Sequence, residues 1–262
     1  GVLSLPNAYP MIPIHDTAGW RVDEAPAWGD IVFSEVALYR VQIRAPAGQV
    51  IVATGTCVTS DGATLAASET PQPTATTMPN ATPSDHQQTT TCSAGPVREF
   101  ALHLSSQFQI TQAVVTSQGE PITVSSYYLA DSRLGGERAL TYAAESMHVY
   151  ERRFGAYPFR ELKVFMSPTT SGGIEYPTLA GVTDSLYGID GGYFEWITAH
   201  EVAHQWWYSL VGSDPVNEAW LDEALTQYAT SLYIEDRYGA QAAHAERARY
   251  FGQRYEEEVR RP

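Results

Sequence analysis

The chain has 262 residues, of which 44% are hydrophobic and 18% charged, and it carries a net charge of −14 at pH 7. A chain of that length and apolar share can bury a sizeable core and fits a soluble protein of two domains. The acidic balance argues against nucleic acid or an anionic membrane as partner, and no apolar run reaches the roughly 18 residues of a membrane-spanning helix.

Up to about residue 130 the signals are those of strands. VALYRVQIR, at 36 to 44, alternates with Tyr39, Val41 and Ile43 on one side and Arg40, Gln42 and Arg44 on the other. QVIVATG follows a turn over Pro46 to Gly48, and REFALHL, at 98 to 104, alternates through Phe100, Leu102 and Leu104. These segments predict hairpins of an antiparallel sheet with one buried face. Residues 58 to 91 differ: they are rich in Ser, Thr and Pro, have no period and hold few apolar side chains. Such a stretch buries too little surface to offset its ordering entropy, which predicts a mobile insertion in a hairpin. The only two cysteines, Cys57 and Cys92, flank it where the hairpin arms would lie side by side. They form either a disulfide that staples the base of the insertion, in an oxidising compartment, or two reduced thiols. Asn80-Ala81-Thr82 matches a glycosylation triplet, but Pro83 follows and the match is treated as chance.

After residue 130 the period changes. Leu140, Ala143, Met147, Tyr150 and Phe154 mark an amphipathic helix that stops at Gly155 and Tyr157-Pro158. LKVFM, at 162 to 166, and LAGVT, at 179 to 183, read as strands. FEWITAHEVAHQWWYSLVG, at 194 to 212, reads as a buried helix; Gly212 and Asp214-Pro215 break the chain, and NEAWLDEALTQYATSLY, at 217 to 233, begins a second helical pattern with Gly239 as its stop. Trp220, Ala224 and Tyr228 lie at helical spacing in it, and Tyr228 is expected in the core. A last charged helical stretch, about 240 to 259, has few apolar anchors and would fray if its packing partners lie in the rest of a longer protein.

The chemistry concentrates in HEVAH. A helix puts positions i and i+4 on one face, so His200 and His204 can grip one ion, while Glu201, about 100° further round, can reach a water on the open side without being a ligand. The competing reading is a core helix that happens to carry two imidazoles, since histidine is intermediate in its burial. A catalytic zinc takes three protein ligands and keeps the fourth position open, so a third ligand is required. Two antiparallel helices would bring Glu223 back over the histidine pair, and that glutamate favours the metal reading. His15, His86, His103, His148 and His244 have no partner at ligand spacing.

HEVAH, eighteen intervening residues and then Glu223 within WLDEAL resemble the pattern of the M1 family of zinc metallopeptidases, the aminopeptidase N-like gluzincins. GGIEYP, at 172 to 177, is similar to the family's G-x-M-E-N segment in its bacterial form. YERRFGAYPFRELKVF, at 150 to 165, and NAYPMIPIHDTAGW, at 7 to 20, resemble the entry to its catalytic domain and the later part of its N-terminal β domain. The resemblance implies an α+β fold. An antiparallel β domain over 1 to 130 would carry the 58 to 91 insertion, and 131 to 262 would be the N-terminal half of a thermolysin-like zinc peptidase domain with its helix pair. It further implies one Zn²⁺ per chain on His200, His204 and Glu223. Glu201 would act as general base for a zinc-activated water, and Glu175, with Gly172 and Gly173 beside it, would bind the substrate's free α-amino group. Two departures stand out. Ile174 and Tyr176-Pro177 replace the family's Met and Asn, and a proline there fixes φ and removes a donor at the edge that would cradle substrate. The family's oxyanion-stabilising tyrosine comes well after the third ligand, and Tyr228, Tyr250 and Tyr255 do not suit that role, so it is expected beyond Pro262 in a longer protein.

The implied activity is zinc-dependent hydrolysis of peptide bonds, most readily of aminopeptidase type. An endopeptidase using the same site is one alternative; for this chain by itself, which would lack the oxyanion tyrosine and be inactive, a zinc- and peptide-binding module without turnover is another. An extracytoplasmic or secreted location is the expectation from the cysteine pair, with Gly1 lying past any signal peptide, and the resemblance of GGIEYP to the family's bacterial form implies a bacterial source. Oligomeric state and side-chain preference are not written in the sequence.

Overall fold

The computed structural model describes residues 1–22, 32–59, 87–189 and 191–260. Most of the 58 to 91 insertion, with the Asn80-Ala81-Thr82 triplet and His86, lies outside the described residues.

The first part of the chain is built from small antiparallel sheets. β1 (Leu3–Pro6) pairs with β8 (Ala101–Ser105), which pairs with β5 (Val50–Ala53). β2 (His15–Asp16) and β3 (Gly19–Trp20) form a short ribbon. β7 (Gln87–Val97) lies between β4 (Ala37–Pro46) and β6 (Thr56–Thr59). The alternation expected of β4 holds, with Ile43 buried and Arg40, Gln42 and Arg44 exposed. β8 differs from expectation. Ala101, His103 and Ser105 are its fully buried residues, while Leu102 and Leu104 are only half-buried. The reason is that this strand is covered on both faces: Leu102 and Leu104 join a small cluster with Ile43, Ile51 and Phe100, whereas Ala101 belongs to the main core. A strand buried on both sides loses the simple inside-outside pattern. Cys57 and Cys92 are direct partners across β6 and β7 and are joined as a disulfide.

The second part is a five-stranded mixed sheet in the order β12-β13-β11-β10-β9. β9 (Phe108–Ser117) and β10 (Glu120–Leu129) form an antiparallel hairpin; β11 (Glu161–Ser167) runs parallel to β10, β13 (Leu179–Thr183) parallel to β11, and β12 (Gly173–Tyr176) antiparallel to β13. The helix α1 (Arg133–Phe154) crosses over from β10 to β11 and packs on β9 and β10. Its start at Gly136 lies so close to β10 that a Cβ there would overlap the ring of Tyr128. Hydrogen bonding therefore joins the strands before residue 130 to those after 160, and the sheet that carries the second part begins at Phe108. β11 and β13 are buried along their whole length, as parallel strands covered on both faces must be. α2 (Gly192–Ala203) and α3 (Ala219–Tyr238) follow. The final stretch is three short pieces: α4 (Ala240–Arg247), a π-helical turn (Ala248–Gln253) and α5 (Arg254–Val259).

Candidate metal centre

α2 is buried from Phe194 to Ala203 and stops there, well short of residue 212, with His204 closing its last turn through an N–H bond to the His200 carbonyl at 3.3 Å. The side chain that follows explains the stop. Gln205 turns into the β12-β13 hairpin, where its Nε2 donates to the carbonyls of Tyr176 (3.0 Å) and Leu179 (3.3 Å) and its Oε1 accepts from the Thr178 N–H (2.8 Å). The backbone tightens to bonds three residues back at Gln205 and Trp206, and Tyr208 takes a φ of 148°. Asp214 then accepts the N–H groups of Val216 (3.1 Å) and Asn217 (3.0 Å), turning the chain into α3.

α2 and α3 run antiparallel, as their contacts require. Glu195 near the start of α2 accepts hydrogen bonds from Tyr233 and Tyr238 near the end of α3, both at 2.7 Å, while Glu223 near the start of α3 meets His200 near the end of α2. The face of α3 turned inward is not the expected one. Trp220 and Tyr228 are 67% and 52% exposed, and the buried residues include Asp222, Thr226, Ala229, Thr230 and Tyr233. Small and hydroxylated side chains let α3 approach α2 closely, and the aromatic stripe faces away.

His200, His204 and Glu223 each present one donor atom, and these atoms lie within 4.8 Å of one another. The His200 Nε2 stands 3.2 Å from the Glu223 Oε2. His204 Nδ1 lies 3.1 Å from the Trp207 carbonyl, which can only accept, so Nδ1 carries the proton and Nε2 keeps its lone pair. Thr226 Oγ1 approaches the same Nδ1 at 3.2 Å. Burial, reinforced by the nearby His200, lowers the His204 pKa to about 4, which keeps the imidazole neutral as a metal ligand must be. Burial pushes the Glu223 carboxyl up, but the hydrogen bond from His200 and the two imidazoles outweigh it and hold the pKa at about 2. Two imidazoles and an ionised carboxylate, with one histidine tautomer set by the backbone, could hold a metal ion of the kind that takes nitrogen and oxygen donors.

Glu201 and Glu175 are both buried, and together with His204 each offers an atom within 4.8 Å of the other two. Gly173 is the reason the two carboxylates come this near. A Cβ on Gly173 would overlap the Glu201 carboxylate, so β12 can lie against α2 only without a side chain there. Gly172, at a φ of 98°, turns the chain into that strand beside Tyr193. The structure thus brings together every candidate residue: His200, Glu201 and His204 on or at the end of α2, Glu223 on α3, and Gly172, Gly173 and Glu175 at β12. Of the downstream tyrosines, Tyr228 and Tyr255 are exposed, and Tyr250 stacks on Trp196 at 4.7 Å. Sequence reasoning missed Gln205, Thr226 and Trp196. Thr226 had a signal, since it stands one turn after Glu223 on the same helix; Gln205 had none, because its partners lie in a distant hairpin.

A helix pair thus brings two imidazoles and two carboxylates together at the edge of a mixed sheet. Residues 138–260 match the peptidase family M1 domain. The chain is 35% identical over 92 residues to human and rat aminopeptidase B, a stretch covering 34% of this chain and 14% of theirs. It is 32% identical over 109 residues to leucine aminopeptidase 2 of the yeast Vanderwaltozyma polyspora, covering 42% of this chain and 15% of that one. Its fold is that of an M1 zinc metallopeptidase from Deinococcus radiodurans, with a TM-score of 0.62 at 20% identity over 84% of this chain and 45% of that one. A mutant of an M1 zinc metallopeptidase from Deinococcus radiodurans, bound to a Tyr-Ser-Ala substrate, matches with a TM-score of 0.58 at 17% identity. The chain therefore spans under half the length of these solved structures and about a seventh of the curated relatives.

Proposed function

We propose that His200, His204 and Glu223 hold one zinc ion, and that the chain contributes this centre to a peptide hydrolase of aminopeptidase type. The observation that carries the reading is the convergence of these three donors on two antiparallel helices, with His204 held in the ligand tautomer. Zinc bound there supplies Lewis acidity, polarising a carbonyl and making water more acidic.

The remaining steps belong to the side chains. Glu201, buried and pressed against Gly173, accepts the proton of the attacking water on its carboxylate and can return it to the leaving amine. Glu175, at β12 and beside Glu201, offers a negative charge to the substrate's free α-ammonium. An anion fixed there rewards a charged N-terminus and admits only the first peptide bond to the reacting position. The relatives named as aminopeptidases, and the neighbour bound to a tripeptide, support a peptide as substrate. The bridged Cys57–Cys92 pair supports an extracytoplasmic or secreted location.

Zinc content after dialysis, measured beside cleavage of a tripeptide and its N-acetylated form, tests the reading. One zinc per chain, lost in His204→Ala, with only the free peptide cleaved and Glu201→Gln keeping zinc without turnover, is the expected result. Cleavage of the blocked peptide replaces the aminopeptidase with an endopeptidase. Zinc without cleavage of either makes this chain by itself a binding module that lacks the oxyanion-stabilising tyrosine, and a folded parent that holds no zinc overturns the metal centre.

A further inference from the structure

The two candidate histidine ligands are held by different means. His204 is fixed through Nδ1 by the Trp207 carbonyl and Thr226. His200 Nδ1 is buried and makes no hydrogen bond to the described residues. Besides the Nε2 contact with Glu223, the His200 ring is held by an aromatic plate. Trp196 lies one turn earlier on α2, and its indole stacks on the imidazole with centroids 5.1 Å apart and planes inclined by 19°. The indole is itself anchored. Its Nε1–H donates to Glu246 Oε1 at 2.8 Å, and the Tyr250 ring stacks on it at 4.7 Å and 16°. Tyr250 comes from the π-helical turn at Ala248–Gln253, and Glu246 from α4.

We propose that Trp196 is a positioning residue for the metal centre: by stacking, it sets the plane of His200 so that Nε2 faces Glu223, and α4 with the π-helical turn holds Trp196 in place. This rests on the zinc reading above. An imidazole free to rotate about its last torsion spends part of its time with Nε2 turned from the ion, and a ligand so loosened binds metal less tightly. The parallel stack restricts that torsion, because tilting the ring gives up the contact with the indole face. Tyr250 thereby acquires a role that its place in a charged terminal stretch conceals.

The test measures Zn²⁺ affinity by competition with a chromophoric chelator, and Co²⁺ absorption spectra, for the parent, Trp196→Leu, Trp196→Phe, Tyr250→Leu and His204→Ala. Urea midpoints of the metal-free proteins are followed in parallel. Trp196→Leu should weaken Zn²⁺ by about 10- to 100-fold, the range for partners that orient metal ligands, and shift the cobalt bands. Trp196→Phe, which retains a ring, should stay within a few-fold of the parent, and Tyr250→Leu should fall between. Metal-free midpoints that follow the same order as affinity would reduce the effect to stability and overturn the proposal. So would Trp196→Leu binding zinc as tightly as the parent, or the Leu and Phe variants losing affinity equally. Should the Trp196 variants fail to fold, Tyr250→Leu decides alone, with unchanged affinity counting against the proposal. Zinc retained by His204→Ala would instead bring down the metal centre itself, which separates the two failures.

Discussion

The β region before Ser105 and the sheet-and-helix region after Phe108 are stabilised in different ways. The first encloses a small cluster of Ile43, Ile51, Ala53, Phe100 and a disulfide, and several of its apolar side chains, Leu38 among them, face outward. The second holds the main core, fully buried from Ile122 and Met147 through Leu162 and Leu179 to Tyr233. Their junction is polar as well as apolar. Lys163, on β11 and buried, donates its Nζ to the carbonyls of Ala53 (3.2 Å) and Gly55 (2.6 Å) and pairs with Glu161 at 3.0 Å. Thr178 accepts the Gly55 N–H on its hydroxyl at 2.8 Å and gives its own N–H to Gln205, the neighbour of His204. The lesson is that the β region is not an appendage. The turn at Ala53 to Gly55 is gripped by the same hairpin that presents Glu175, so buried hydrogen bonds join a region with little core of its own to the hairpin beside the candidate metal centre.

Breaking the junction should therefore cost more than breaking the staple. In Lys163→Met the carboxylate of Glu161 and the two β5-end carbonyls are left in a buried site without their cation. Breaking a buried pair on one side costs about 3–5 kcal/mol, and that is the loss expected from urea unfolding. A second change, Glu161→Leu in the same chain, should restore much of it, because the penalty lies in the orphaned charge. A single-variant loss below about 1 kcal/mol would mean that the junction is not what holds the two regions together. Reducing Cys57–Cys92, which closes a loop of sequence separation 35, should cost about 2–4 kcal/mol by restoring freedom to the unfolded chain. That loss should leave zinc affinity unchanged, since the bridge joins β6 to β7 and touches none of the candidate ligands. A fall in affinity on reduction would show the β region steering the site through its sheets as well as through Lys163 and Thr178.

The same contrast governs what the sequence discloses. HEVAH and Glu223 are legible because the requirement is periodic: one turn separates the imidazoles, and the third donor must sit on a second helix that doubles back. The strands at 162 to 166 and 179 to 183 are legible because parallel strands covered on both faces read as unbroken apolar runs. The inward face of α3 was not, because the stripe of Trp220 and Tyr228 points outward, while Thr226 and Thr230 are buried. β8 escaped for a related reason: His103 is buried against Phe165 and Tyr176, a packing partnership across the two regions that local alternation cannot express. Gln205 is the extreme case, since the three hydrogen bonds of its side chain go to a hairpin more than twenty residues earlier in the chain.

The smallest of the expected effects is also the sharpest probe of that coupling. Thr178→Val keeps the shape of the side chain and removes one oxygen, so the Gly55 N–H loses its acceptor while Thr178's own backbone bond to Gln205 is untouched. A buried donor left unsatisfied costs about 1–3 kcal/mol, and a loss in that range is expected in urea. If the β region merely leans on the hairpin, that stability loss will be the whole result. If it also sets the position of the hairpin, the strain passes to β12 and Gln205, and the variant will bind zinc more weakly than its remaining stability explains. Zinc affinity measured well below the unfolding midpoint distinguishes the two, and the grip of Gln205 on three backbone groups favours the second.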